Sequence, residues 1–406
     1  MSKRVHIPEL RFKEFSGEWE EKKFGDIFER VTTKNKENNL NVLTISAQQG
    51  LISQEEYFNK SVSAKDVTEY YLLHKNDFAY NKSYSNGYPM GAIKRLSKYD
   101  KGVVSTLYIC FKSKKDNVIF LEKYFDTTKW YKEVHKIAQE GVRNHGLLNI
   151  SVVEFFRDVK IIIPKKTEQQ KIASFLTTID TKIEQLSKKV EFQEQYKKGV
   201  MQKIFNQEIR FKKDDGSEFD EWEEKRLEEF LILTLREVPK PKENYLAIGV
   251  KSHCKGTFQR PNSEPHKIAM DKLYKVKEND LIVSITFAWE SAIAIVNKND
   301  EGGLVSHRFP TYTFKKDKVI VEFFRYVIIQ KKFRFMLNLI SPGGAGRNRV
   351  MSKKDFLKLK WILPPIEEQT KIANFLISLD KQIDSTKEQL AKTKEFKKGL
   401  LQRMFV

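Results

Sequence analysis

At 406 residues the chain is too long for one ordinary globular domain and has room for two or three, each burying its own core. A formal charge of +20, a pI near 9.5 and 12% aromatic residues point to a polyanionic counterpart, nucleic acid ahead of a membrane surface. The two cysteines, Cys110 and Cys254, have no second Cys or His at ligand spacing, which excludes a zinc site and a disulfide framework and leaves two buried thiols.

In chain order, Met1 to Leu10 is polar without an apolar signal region, and the longest apolar stretch, Leu281 to Trp289, is interrupted by Ser284 and Thr286. The expectation is a cytoplasmic chain with no membrane partner. Phe15-Ser-Gly-Glu-Trp19-Glu-Glu-Lys22, followed by Phe24 and Phe28 at helical spacing, predicts a short leading helix for a first globule over residues 1–160. Val103 to Phe111 reads as a strand and Val118 to Val134 has helical spacing, so this globule is α+β. Lys82, Ser83, Tyr84, Asn86 and Tyr88 lie in a polar-aromatic loop at a strand end, and Arg143, Asn144 and His145 lie between Gly141 and Gly146. Clusters of Gly, Asn and Ser are usually no more than solvated turns. Arg and Asn, however, make the bidentate contacts that single out guanine and adenine, so these segments are candidate DNA readers.

Residues 161–206 come next as a predicted long helix. Ile172, Leu176, Ile179, Ile183, Leu186 and Val190 recur at steps of four and three, the spacing of a coiled-coil seam, which resumes at Val200 and Ile204. Thr167-x-x-Gln170 after Pro164 reads as a capping box, and about 39 residues at ~1.5 Å each give a rod of ~58 Å. The second globule, residues 207–360, repeats the plan of the first. Phe219-Asp-Glu-Trp222-Glu-Glu-Lys225, with Leu227 and Leu231 behind it, echoes the leading segment, and Asn279-Asp280 echoes Asn76-Asp77. Leu281 to Ile285 and Phe309 to Phe314 read as strands and Val319 to Met336 as helix. Its candidate readers are Thr286, Trp289, His307, Arg308, Arg347, Asn348 and Arg349, with the pairs Lys165-Lys166 and Lys353-Lys354 placed for phosphates.

Residues 361–406 then copy 161–206 without a gap. Pro164, Glu168, Gln169, Lys171, Asp180 and Lys197-Lys198-Gly199 recur as Pro364, Glu368, Gln369, Lys371, Asp380 and Lys397-Lys398-Gly399, and the seam recurs as Ile372, Leu376, Leu379 and Ile383. An amphipathic stripe in one segment usually faces its own core. Duplication in the same register at the end of each half instead favours two helices packed on each other and holding two modules at a fixed separation. The expected fold class is therefore α+β, two similar globules and two long coiled-coil helices in a pseudo-two-fold internal repeat.

The chemistry of catalysis is absent. There is no glycine-rich methyl-donor loop, no Asn- or Asp-Pro-Pro-aromatic tetrapeptide and no G-x-x-x-x-G-K-[ST] phosphate loop; Leu363-Pro364-Pro365-Ile366 and Gly343-Gly344-Ala345-Gly346 only approach these patterns. A nuclease built on Asp214 or Asp215 with Glu223-x-Lys225 is disfavoured because Glu20-Glu21-Lys22 repeats the pattern without upstream acids. The seven histidines form no pair at ligand spacing.

The paired motif from Pro164 to Ile183 and from Pro364 to Ile383 resembles the conserved regions of the specificity subunit of type I restriction-modification enzymes. The resemblance covers essentially the whole chain. It implies that residues 1–160 and 207–360 are target recognition domains, each reading one half of a split asymmetric site on double-stranded DNA, and that the long helices pack antiparallel as a spacer. It also implies a non-catalytic subunit without cofactor that recruits two modification (methyltransferase) subunits and restriction (ATP-dependent translocase and endonuclease) subunits. Two other readings stand beside it. A stand-alone DNA-binding regulator would need its own dimer symmetry and a palindromic target, against which the diverged halves argue. A coiled-coil scaffold with basic globules would select no sequence at all.

Overall fold

The computed structural model describes residues 5–46, 49–58, 66–84, 87–138, 148–341 and 349–406. They form two compact units, one of Met1–Lys189 with Thr386–Val406 and one of Val190–Ser385, so the boundary falls inside both long helices. Each unit mixes strands and helices, in agreement with the α+β class expected above.

In the first unit an antiparallel sheet runs in the order Phe28–Arg30, Ile109–Ser113, Phe78–Asn81, Ala92–Arg95. The second unit repeats that order with Leu231–Leu233, Thr311–Phe314, Leu281–Val283 and Ile293–Ile295. Around this shared sheet the units differ. The first adds two separate pairs, Leu43–Ser46 with Gly50–Ser53 and Tyr71–His74 with Lys101–Val104. The second adds a five-stranded sheet in the order Glu237–Pro239, Lys272–Lys275, Leu304–Val305, Tyr245–Val250, Thr257–Ser263. The first core is aromatic: Phe24, Phe28, Phe78, Phe111, Phe125 and Phe155 are all buried, with Phe78 and Phe111 stacked at 5.5 Å. Tyr312, Phe323, Phe324 and Phe333 share the second core with a larger share of aliphatic side chains.

Several local expectations are corrected. The leading helices are strands: Glu20–Lys23 pairs antiparallel with Lys160–Ile163, and Glu223–Arg226 with Lys360–Leu363. Only the single turns Phe24–Ile27 and Leu227–Phe230 are helical, which is why Phe24/Phe28 and Leu227/Leu231 showed helical spacing. A window that short does not separate one turn from a helix. The run from Val103 to Phe111 is two strands, broken by a turn in which the Tyr108 amide donates to the Ser105 carbonyl at 3.1 Å. The first long helix, Lys166–Phe205, begins one residue before Thr167, so Thr167 is no N-cap; the second spans Ile366–Arg403. No helix among the described residues is long and apolar enough to cross a membrane.

Candidate nucleic-acid interface

The duplicated Glu-Gln of the two helix starts anchors each globule. Glu168 is almost fully buried and takes a fork of bonds from Arg11, Nε at 2.8 Å and Nη2 at 2.7 Å, while the Trp19 indole N–H donates at 3.3 Å. Glu368 repeats this with Arg210, Nε at 3.3 Å and Nη2 at 2.8 Å, and with the Trp222 indole N–H at 3.0 Å. A fully desolvated carboxylate is tolerable only when its lone pairs are filled in this way. Gln169 donates to the Pro164 carbonyl and to Asp116, both at 2.9 Å, and accepts the Asn117 amide at 2.9 Å. Gln369 donates to the carbonyls of Pro364 and Lys318 and accepts the Ile320 amide. Each glutamine thereby ties a long helix to the start of a globule helix, Val118–Phe125 or Val321–Val327. The motif was visible in the sequence, but the partners Arg11 and Arg210 were missed.

Within each unit the long helices run antiparallel. In the first, Asp180 receives Lys397 at 2.5 Å and Lys123 at 2.7 Å, and Leu400, Met404 and Phe405 join the core that holds Ile172, Leu176 and Ile179, with Ile183 packed against it. In the second, Asp380 pairs with Lys197 and accepts the Tyr326 hydroxyl at 2.8 Å, while Ile204 joins Ile372 and Leu376, with Leu379 packed against that core; Ile383 is also buried. The seam residues thus serve both the helix pair and the globule. Burial pushes the Asp180 carboxyl up, but the bonds and charges of Lys123 and Lys397 outweigh it and hold the group below its ordinary value. Because the folded value is depressed, this group's contribution to stability is present above about pH 4 and is lost as the pH falls through the folded value. The destabilisation caused by Asp180→Asn in thermal unfolding should accordingly shrink between pH 6 and pH 3.5. A penalty independent of pH would show that the lysines do not act through the charge.

In the first unit, Ser83 donates its amide to Asn81 Oδ1 at 3.0 Å, Tyr84 is exposed, and Lys94 lies 5.8 Å from the Tyr88 ring centroid. Lys82 is half-buried, and that burial pushes its ammonium down from the usual value. The Lys82 carbonyl accepts the Leu148 amide at 3.0 Å. Asn86, Arg143, Asn144 and His145 lie outside the described residues. Gly91 closes the loop on the strand side at φ +74°, where a Cβ would lie 2.2 Å from the Asn81 carbonyl oxygen, so only glycine fits.

In the second unit the same connection recurs: the Ile285 carbonyl accepts the Met351 amide at 2.8 Å, and the Ile285 amide donates to the Arg308 carbonyl at 2.9 Å. Three candidate segments therefore converge on one strand end. The Trp289 indole N–H donates to the Thr286 carbonyl at 3.2 Å, and the Arg349 guanidinium sits 5.3 Å from the Trp289 ring centroid while bonding Asn338 at 3.2 Å. His307 and Arg308 are exposed on a turn that the Ser306 hydroxyl supports at 3.3 Å. The first unit has the same turn at Ser105, carrying exposed Thr106 and Leu107, and the sequence reading missed it. The repeated Val104-Ser105 and Val305-Ser306 would have marked it. Arg347 and Asn348 lie outside the described residues. Lys353 opens the short helix Lys353–Lys358, capped by Ser352.

The acids of the nuclease reading have their own partners: Asp214 pairs with Lys371 at 2.6 Å and Glu223 with Lys225 at 2.8 Å. Among the described residues no cluster of acids, histidines and cysteines has the geometry to hold a metal ion.

Comparison with known proteins places these features in a family. The profile described as the type I restriction modification DNA specificity domain matches residues 16–193 and again residues 220–395. The type I restriction enzyme MjaVIII specificity subunit of Methanocaldococcus jannaschii is 25% identical over 95% of this chain and 94% of its own length. The putative MjaX specificity subunit of the same organism is 26% identical over 68% of this chain and 65% of its own. Among solved structures, the S subunit of a type I restriction-modification system from M. genitalium superposes with a TM-score of 0.53 at 14% identity, covering 98% of this chain and 99% of that one. A chain from a structure of type I system assembly and conformational transition gives 0.51 at 14% identity, over 95% and 97%. At that identity the two structures support the fold.

Proposed function

Because the chain belongs to the type I restriction-modification DNA specificity family, we propose that its two units read the two halves of a split, asymmetric DNA site through the segments around Lys82–Tyr88 and Arg143–His145 in the first and around Thr286–Trp289, His307-Arg308 and Arg347–Arg349 in the second. It is a specificity subunit and not itself an enzyme. The observation that carries the assignment of the reading surface is the convergence on Ile285 of Arg308 and Met351, which brings three separate polar segments of the second unit to one strand end. Arg308 and Arg349 there supply the donor pairs that base edges demand, and Trp289 offers a flat apolar face. Methylome sequencing of cells with and without this chain tests the function: a new split motif should appear only with it.

Residue roles can be tested by half-site. Arg349→Ala should cost on the order of 1 to 3 kcal/mol of binding and relax discrimination in one half of the site only. Lys353→Ala, a phosphate control, should weaken binding to all sequences alike. Selection from duplex libraries randomised separately in each half gives the answer. Uniform weakening by Arg349→Ala would mean that it positions the backbone or braces Trp289 instead of reading.

The chain works in a complex with DNA and with modification and restriction subunits. We assign two copies of the modification subunit, one to each repeat. Tyr196 and Phe396 stand 200 positions apart in equivalent turns of the two long helices and are 59% and 57% exposed, with Phe192 exposed one turn before Tyr196. Aromatic side chains kept in solvent at matching positions of a duplicated helix suit one partner bound twice.

A further inference from the structure

One cavity in the second unit has no part in DNA reading as argued above. It measures about 460 Å³ and lies between the end of the first long helix, the start of the helix Lys331–Leu339 and the strand Lys360–Leu363. Four cations line it, Lys198, Lys331, Lys332 and Arg334, and no Asp or Glu is among its lining residues. None of the four has an ion pair among the described residues; Arg334 bonds the Ser291 hydroxyl at 3.2 Å, and Lys332 lies 5.9 Å from the Trp361 ring centroid. Gln330 precedes the helix without capping it through its side chain, so first-turn N–H groups add their partial positive charge. The wall includes Phe205 and Trp361. Trp361 is only 6% exposed, yet its indole N–H has no hydrogen-bond partner among the described residues. A buried donor in that state costs free energy until an acceptor arrives.

The equivalent place in the first unit is occupied differently. Its cavity, about 360 Å³, is lined by Lys129, Lys132, Lys136 and Lys160, but also by Glu21 and Glu133 and by the chain's own Val5 and His6. Lys136 pairs with Glu133 at 2.6 Å and Lys160 with Glu21 at 2.7 Å, while the His6 carbonyl accepts the Trp19 amide at 2.8 Å. There an extended peptide and two carboxylates border the site. In the second unit Glu224, the counterpart of Glu21, pairs with Lys360 at 2.8 Å outside the lining, and among the described residues no second carboxylate and, beyond the strand Lys360–Leu363, no extended segment of the chain lines the cavity.

We propose that the cavity of the second unit receives an extended acidic peptide segment of a partner protein, its carboxylates on the lysines and Arg334, an apolar side chain against Phe205 and Trp361, and a carbonyl or carboxylate on the Trp361 N–H. A DNA duplex presents its phosphates on a convex ridge and has no apolar side chain to place on the aromatic wall, which separates this site from the reading surface. The inference stands independently of which bases the units read.

The test uses the full chain and a fluorescein-labelled nonapeptide of glutamates around a central leucine, with binding read by anisotropy at 0.15 M salt. The peptide should bind, and the same peptide with glutamine for glutamate should not. Lys331→Glu with Lys332→Glu should weaken binding at least about tenfold, and Trp361→Phe, which keeps the ring and removes the N–H, roughly three- to tenfold. Lys132→Glu in the first unit should leave binding unchanged and so controls for the general basicity of the surface. Equal loss in all three variants, no loss in any of them, or displacement of the peptide by a short duplex whose own affinity falls with Lys331→Glu and Lys332→Glu would each overturn the proposal. Thermal unfolding of the variants separates misfolding from loss of the site, and Trp361→Phe tests the acceptor in a fold that keeps its packing.

Discussion

Glu168→Ala should unfold the first unit at much lower urea than the unaltered chain while leaving the second unit's transition in place, and Glu368→Ala should do the reverse. The substitution removes an acceptor and a small volume, but the dominant effect is on what stays behind. Arg11 would be left with its charge at 13% side-chain exposure and Trp19 with an orphaned N–H at 2%. Breaking a buried pair from one side costs about 3 to 5 kcal/mol, far more than an exposed pair is worth. Glu168→Gln should fall between, since it keeps an acceptor for Trp19 but loses the paired hydrogen bonds and, with them, the charge that hold the Arg11 proton more tightly than usual. Hydrogen exchange read by mass spectrometry resolves the units separately. A loss below about 1 kcal/mol, or one spread evenly over both units, would mean that the carboxylate is not the anchor.

The second large effect concerns assembly. Tyr196→Asp should leave a complex with one modification subunit, Phe396→Asp likewise, and the pair of changes none, as counted by native mass spectrometry. Central aromatic anchors cost about 2 kcal/mol or more when removed, roughly a thirtyfold loss, and a charge put in their place adds desolvation. Both positions are solvent-exposed in the chain itself, so the folded subunit and its DNA binding should be unaffected. Full occupancy by two copies in the double variant would place the docking surface elsewhere.

What the sequence revealed followed from periodicity and duplication. The long helices, their shared stripe and the α+β globules were legible because a 200-residue echo is independent of tertiary context. The apolar stripe lapses between Val190 and Val200, and there Lys197, with its copy Lys397, is the cross-helix partner of Asp380 and Asp180 respectively. That pairing needs the register of the two helices as well as the antiparallel direction that the resemblance implied. Arg11 escaped notice because it precedes Trp19 by eight residues while Arg210 precedes Trp222 by twelve, which breaks the alignment at the residue that matters most. The strands Glu20–Lys23 and Glu223–Arg226 were hidden by charge: four consecutive charged side chains carry no period of two, and their strand character comes from pairing with Lys160–Ile163 and Lys360–Leu363. For the reading segments residue type pointed to the chemistry, but the backbone bonds at Lys82 and Ile285 that gather them are invisible in composition.

The first unit includes Thr386–Val406, which leaves the ribosome only after the whole of the second unit, Val190–Ser385. On the ribosome the order of birth is therefore not the order of completion. The second unit can close while synthesis continues, and the first must wait, with Ile172 and Leu176 uncovered, until Leu400, Met404 and Phe405 emerge. Exposed apolar surface in that interval calls for chaperones and invites proteolysis. A stop codon introduced just before Leu400 would then damage the unit translated first, and spare the one encoded nearer to the lesion.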